Sequence, residues 1–227
     1  MTQPSEREVT RSVQDYLKTI YKLQGDGPVQ TSALAEQMRV APPSATNMVA
    51  RLAEAGFLRH TPYKGAELTD AGAGIALEVI RHHRLWELFL HRALGVPIDR
   101  LHDEAERLEH ELSDELEERI ARALGEPTLD PHGDPIPSRE GEVDATAFPA
   151  LADLPIGMPA IIRRVPDNDP GFLRYLESLD LLPGATVAQR AREPFRGPIT
   201  LDVGGVERVI GYELASRVRV EAVTTKA

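Results

Sequence analysis

Cysteine is absent from this 227-residue chain, which excludes disulfides, thiolate metal sites and thiol nucleophiles in one step. A metal site here must be built from His, carboxylates, carbonyls, Met thioethers and water. Long apolar runs are also missing: none approaches the roughly 20 residues needed to cross a bilayer. Near Met1, Glu6, Arg7, Glu8 and Arg11 interrupt any apolar core, so no secretion signal is expected and the expected compartment is the cytoplasm. A surplus of basic charge is lacking too, with a formal net charge of −10, and taken alone this argues against a nucleic-acid partner. What is present, 41% apolar and 27% charged residues, is the composition of an ordinary soluble globular protein.

The acidity is unevenly spread. Residues 1–70 carry eight basic and eight acidic side chains, whereas 71–140 carry eight against sixteen. The first segment is therefore free to approach a polyanion. The carboxylates of the middle segment suit either a solvated helix face or a site for hard cations. Residues to about Asp70 read as short helices and a hairpin, and Ala71–Leu124 as two longer helices. Breakers then cluster at Gly125, Pro127, Pro131, Gly133, Pro135, Pro137 and Gly141, a linker signal. From about 150 the pattern turns to short β-rich runs such as Ala160–Val165, Thr186–Ala188 and Arg217–Val223, with one short helix at Phe172–Leu179. The expected class is mostly α with a β-rich C-terminal part that closes as a small barrel.

Thr31–Met38 has a Ser or Thr cap and apolar residues at helical spacing. Pro42 and Pro43 suit the start of a second helix, which turns Ala45, Met48, Val49, Leu52 and Ala53 inward and Ser44, Thr46, Asn47 and Arg51 outward. Gly56 stops it, and Phe57–Thr69 turns around Tyr63–Gly65 as a two-stranded wing. Together these form a winged helix-turn-helix pattern, in which short polar groups near a helix N-terminus reach base edges in the major groove. Candidate contacts are Thr31, Ser32, Pro43, Ser44, Thr46, Asn47 and Arg51, with Lys64 on a phosphate. A packing module with a solvated polar face is the alternative.

On one continuous helix through 101–116, His102, Glu106, Glu109 and His110 fall within an arc of roughly 100°. They lie beside a core stripe of Leu101, Ala105, Leu108, Leu112 and Leu116. On the preceding helix, His83 and Glu87 stand one turn apart on the face of Val79, Ile80, Trp86, Leu90 and Leu94. A carboxylate there is costly unless paired or bound to a cation, and an internal ion pair is the bland reading. His82 and His91 read as surface histidines. Carboxylates outnumbering imidazoles, without thiolate, suit hard-to-intermediate divalent ions such as Mn(II) or Fe(II), with other divalent transition metals able to bind in vitro.

Asp15–Tyr21, Pro43–Arg51, Arg81–Glu87 and His102–His110 resemble the diphtheria-toxin-repressor family, and within it the manganese-transport regulators. Asp134–Pro137 is similar to that family's linker opening, and the C-terminal block more loosely to its SH3-like domain. The resemblance implies a homodimeric, metal-activated regulator, expected as a repressor of metal-homeostasis genes, on a palindromic double-stranded DNA operator. It implies a DNA-binding domain at 1–70, a helical metal-binding and dimerisation domain at 71–140, a linker at 141–150 and an SH3-like domain at 151–227. It implies a principal site of Asp15, His83, Glu106, Glu109 and His110, and an ancillary site of His83, Glu87 and His102 with a carboxylate from Asp169. Glu106 stands where iron-sensing relatives have Cys, and Asp15 where they have Met. Lys18 stands where the manganese regulators have a further ligand Glu, and Phe172 where an ancillary Gln is expected. From its own helix, Asp15 would read as solvated, opposite Val13, Leu17, Ile20 and Tyr21. A metal-independent winged-helix regulator and a metallohydrolase are the rival readings. The absence of a separate general base weighs against catalysis.

Overall fold

The computed structural model describes residues 9–25 and 27–223, which form two compact units. The signal-peptide reading at Glu6, Arg7 and Glu8 lies outside them. The first unit contains the described residues up to His83, with 108–113 and 137–142. Its α1 (Arg11–Leu23) starts where the Thr10 hydroxyl accepts the Val13 amide, and it buries Val13, Tyr16, Leu17 and Ile20 at helical spacing. These pack with Leu34 and Ala35 of α2 (Thr31–Gln37) and Ala45, Val49 and Leu52 of α3 (Pro42–Glu54). The expected Thr31 cap is not formed. Gln30 is the N-cap without a side-chain bond of its own to the helix, and its amide reaches the Lys64 carbonyl at 2.8 Å. Prolines occupy the first turn of α3, where a missing N–H costs nothing.

Strands β1 (Leu58–Thr61) and β2 (Gly65–Leu68) pair antiparallel as the wing, Leu58 opposite Leu68 and Thr61 opposite Gly65. Gly65 is required there: its φ is +111°, and a Cβ would lie 2.5 Å from the Val29 carbonyl oxygen. Helix α4 (Asp70–Leu94) runs for 25 residues.

The second unit contains 84–107, 114–136 and the described residues from Val143 onward. It holds α5 (Leu101–Leu108), α6 (Asp114–Ala123) and a sheet of β3 (Pro159–Arg164), β4 (Thr186–Arg192), β5 (Ile199–Val203), β6 (Val206–Ile210) and β7 (Arg219–Ala222). All pairs are antiparallel, in the order β6-β5-β4-β3-β7. Alternate residues such as Ala160, Ile162, Val187, Leu201 and Val220 fill its core, with Leu173 and Leu176 from α7 (Pro170–Ser178) and Ala215 from α8 (Tyr212–Arg217).

Two expectations are corrected. The helix through 101–116 is broken: α5 ends at Leu108, Glu109–Glu111 form a 3₁₀ turn, and α6 begins at Asp114. The tighter turn and restart shift the helical phase, so Leu116 is 42% exposed while Glu117 is buried. The breaker-rich stretch read as a linker is packed between Asp130 and Pro137, where Asp130, His132 and Ile136 are buried. Val165 donates its amide to the His132 carbonyl at 2.9 Å. At Gly133 (φ +86°) a Cβ would stand 1.8 Å from the Arg163 carbonyl oxygen.

Candidate metal centre and nucleic-acid interface

Ser32, Pro43, Ser44, Thr46, Asn47, Arg51 and Lys64 are all exposed, and Thr31 is half-buried. The turn between α2 and α3 passes through Arg39 at φ 53°. Buried Ala45, Val49 and Leu52 fix which way α3 faces, leaving Ser44, Asn47 and Arg51 as one polar face. Thr46 is turned inward on its own helix, its hydroxyl donating to the Pro42 carbonyl at 3.0 Å.

In the first unit, Asp15, Glu109 and His110 present ligand atoms within 4.8 Å of one another. Glu109 is fully buried, placed by the 3₁₀ turn that breaks the helix. Its carboxylate accepts the Lys18 ammonium at 2.8 Å on both oxygens, and His83 Nδ1 lies 2.5 Å from Oε2. His110 Nδ1 is 2.7 Å from the Gln14 side-chain oxygen, which can only accept, so that nitrogen carries the proton. His110 Nε2 then turns its lone pair toward Asp15 Oδ1 at 2.9 Å and Glu109 Oε1 at 3.3 Å. Such an arrangement calls for a proton or a metal ion among these atoms. Buried Nε2 makes no well-formed hydrogen bond among the described residues. His82 is corrected: it is buried, not a surface residue, and its Nδ1 donates to the Glu109 carbonyl at 3.1 Å. That bond holds the backbone of the turn. His91 is exposed as expected.

The second unit holds another cluster, Glu87, Asp130 and His132, all buried, with ligand atoms within 4.8 Å. His132 Nδ1 is 3.7 Å from Glu87 Oε2, beyond hydrogen-bonding distance, and neither ring nitrogen has a hydrogen-bond partner among the described residues. His102 flanks it, its Nδ1 3.9 Å from Glu87 Oε1 and 4.0 Å from Asp167 Oδ2. Glu106 lies 3.8 Å from His102 Nε2. Asp130 Oδ1 accepts the amides of His132 and Asp134, each at 2.8 Å, leaving Oδ2 3.7 Å from Arg84 Nε. Burial, then Glu87 and Asp134, push the Asp130 carboxyl up to about 8. For His132 burial alone acts downward, but Glu87, Asp130 and Asp167 outweigh it and raise the imidazole to about 9. Carboxylates crowded around an unbonded imidazole form a donor set that fits a divalent cation.

The structure does not bring Asp169 to this cluster. Its carboxylate caps α7 through the Phe172 amide at 2.9 Å and lies 3.7 Å from Arg217, while Asp167 approaches His102. Sequence reasoning missed Asp130, His132 and Asp167. The first two sit among the breakers that marked a linker. A His flanked by Pro131 and Gly133 was the available signal.

Family models match three stretches: the iron-dependent repressor N-terminal DNA-binding domain at 8–66, its metal-binding and dimerisation domain at 69–138, and a FeoA domain at 150–222. Iron-dependent repressor IdeR of Mycobacterium bovis is 31% identical over 230 residues, covering 95% of this chain and 99% of that protein. The chain belongs to the iron-dependent repressor family. Diphtheria toxin repressor of Corynebacterium glutamicum is another relative, 34% identical over 230 residues, covering 96% of this chain and 99% of its own. Among solved structures, a manganese-dependent transcriptional repressor in complex with manganese superposes at TM-score 0.83 with 37% identity, over 93% of this chain and 100% of that one. This family member is thus a metal-dependent, DNA-binding transcriptional regulator with a dimerisation domain and an SH3-like C-terminal domain. Family and fold agree with the sequence reading, and no helix of the described residues is long and apolar enough to cross a membrane.

Proposed function

We propose that this repressor is activated by Mn(II), with Fe(II) as the second candidate. Its principal ligands in this reading are Asp15, His83, Glu106, Glu109 and His110. A second ion is held by Glu87, His102, Asp130 and His132, with Asp167 taking the part that resemblance gives to Asp169. One observation carries the reading. Asp15 belongs to the matched DNA-binding stretch, His83, Glu109 and His110 to the matched dimerisation stretch, and Asp15 and His110 approach to 2.9 Å. A divalent cation supplies charge neutralisation there and a fixed bridge between ligands. Asp15 then holds α1, and through their shared core α2 and α3, in one orientation. In a homodimer this sets two reading helices for successive major grooves of a palindromic site. Because the ion favours the DNA-competent state, DNA tightens metal binding by the same factor.

Selection of sheared genomic DNA with chelator, Mn(II) or anaerobic Fe(II) tests this. Enrichment of palindromic promoter fragments only with metal is expected, at lower Mn(II) than Fe(II). Equal enrichment with chelator would make the His and carboxylate clusters structural.

A further inference from the structure

The turn that carries Asp130 and His132 also grips the strand that leads to Asp167. Asp134 is mostly buried between two arginines, 3.0 Å from Arg164 Nε at the end of β3 and 3.9 Å from Arg84 Nη2 on α4. Arg84 also donates to the Pro135 carbonyl and stands 3.7 Å from Asp130. The Val165 amide donates to the His132 carbonyl at 2.9 Å. Gly133 lies so close to the Arg163 carbonyl oxygen that a Cβ has no room. Three consecutive residues, Arg163, Arg164 and Val165, are thus each held by one of three others in sequence, His132, Gly133 and Asp134. Asp167 follows two positions after Val165, and its carboxylate comes within 4.0 Å of His102.

We propose that Asp134 is a positioning residue of the second cluster: through Arg164 it holds the turn after β3 so that Asp167 faces His102 before any metal arrives. The inference rests on the reading of that cluster as a metal site. A ligand carried on the β-rich domain must be ordered when an ion binds unless something orders it first, and that ordering is subtracted from affinity. Asp134 is built for the task. Its amide is fixed by Asp130 Oδ1 at 2.8 Å and its carbonyl accepts the Asp130 amide at 3.0 Å, so it moves with a ligand-bearing turn. Its carboxylate is engaged by Arg84 and Arg164 and is not among the group formed by Glu87, Asp130 and His132. Support of this kind, one shell out from the ligands, is what fixes their geometry. Metal then enters a site whose β-domain ligand is already in place, rather than drawing that domain in.

Hydrogen exchange of the Val165 amide in the chelated full-length protein, together with Mn(II) binding by equilibrium dialysis, tests this. That amide is expected to be protected in metal-free wild type and to exchange about tenfold faster in Asp134→Asn. Arg164→Gln removes the other half of the pair, should have the same effect, and serves if the asparagine variant does not fold. In wild type, Asp167→Ala should weaken Mn(II) at the second cluster by about tenfold or more. In the Asp134→Asn background the same substitution should cost about threefold or less, because the ligand is no longer held in place. An equal cost of Asp167→Ala in both backgrounds, or a Val165 amide protected only when Mn(II) is present, would overturn the role of Asp134. Glu87→Gln and His132→Ala separate this from failure of the metal reading. If neither lowers the wild-type Mn(II) count, the second cluster is not a metal site and the positioning role falls with it.

Discussion

An ion entering the second cluster, as proposed above, would displace protons from Asp130 and His132. With Asp130 at about 8 and His132 at about 9, the carboxyl is about nine-tenths protonated at pH 7 and the imidazole almost wholly so. Ligation requires both deprotonated, so an ion entering at pH 7 displaces about two protons from this pair. Its apparent affinity should rise by roughly 10- to 100-fold between pH 6.5 and 7.5, then flatten above pH 9. Titration calorimetry of Mn(II) into the metal-free protein, in buffers differing in heat of ionisation, counts those protons directly. Asp130→Asn should release about one fewer per chain and His132→Ala about one fewer. A variant that releases as many as wild type, or an affinity flat across that pH unit, would refute the assignment. Stability follows the same sign. Both folded-state values lie above the ordinary ones, so the stability from these groups is complete below about pH 4 for Asp130 and about 6.5 for His132. It is lost as pH rises through about 8 and about 9. The Tm of chelated protein should therefore fall from pH 6 to 9, and saturating Mn(II) should restore it.

Asn47→Ala should weaken specific DNA binding by about 1–3 kcal/mol and non-specific binding far less; equal losses in a competition gel shift would count against base reading. Glu106→Ala should fold and dimerise by sedimentation yet lose metal-dependent DNA binding, and undiminished metal dependence would remove Glu106 from the ligand set. Asp169→Ala should cost about 1 kcal/mol in denaturant unfolding, as a lost N-cap, with Mn(II) stoichiometry unchanged; loss of an ion would restore it as a ligand. Gly133→Ala should destabilise by more than about 3 kcal/mol, since backbone rather than a movable side chain stands 1.8 Å from its Cβ; a Tm within a degree of wild type would contradict that.

The α-helical spacing of Val13, Leu17 and Ile20, the paired prolines of α3 and the Tyr63–Gly65 turn made the DNA-binding module legible, because each is a local rule acting on neighbouring residues. The metal chemistry was legible in part. His83 and Glu87 could be placed on an apolar face and Glu109 beside a core stripe by periodicity, but Asp15 pointed away from its helix's core stripe and only resemblance singled it out. It is in fact half-buried, against His110. Periodicity also assumed one helix through 101–116. The 3₁₀ turn at Glu109–Glu111 breaks that assumption, and no proline or glycine marks it. Asp130 and His132 were hidden for a different reason. Breakers signal where the chain turns, and here the turns bury polar groups against Glu87 and β3 rather than expose them. Asp167 reaches His102 across 65 positions of sequence, a proximity that only tertiary packing creates.

The two clusters meet one physical demand in different ways. Each buries carboxylate charge that needs compensation while no metal is bound. Glu109 receives it from Lys18, an ammonium carried on the helix that also carries Asp15. At the Glu87 and Asp130 pair, burial and neighbouring carboxylates raise Asp130 and His132 above their ordinary values, so protons share the compensation with Arg84, 3.7 Å from Asp130. An ion arriving at the first cluster, in the proposed reading, meets a fixed ammonium beside Glu109 as well as the imidazoles of His83 and His110. In the second it competes with solvent protons, so its threshold moves with pH. Occupancy of the second site should therefore fall as pH is lowered from 8 to 6. Lys18→Met should leave the proton count of the second site unaltered. If proton release from Asp130 and His132 changed with Lys18→Met, the two clusters would not be independent, and compensation would have to be assigned to them jointly.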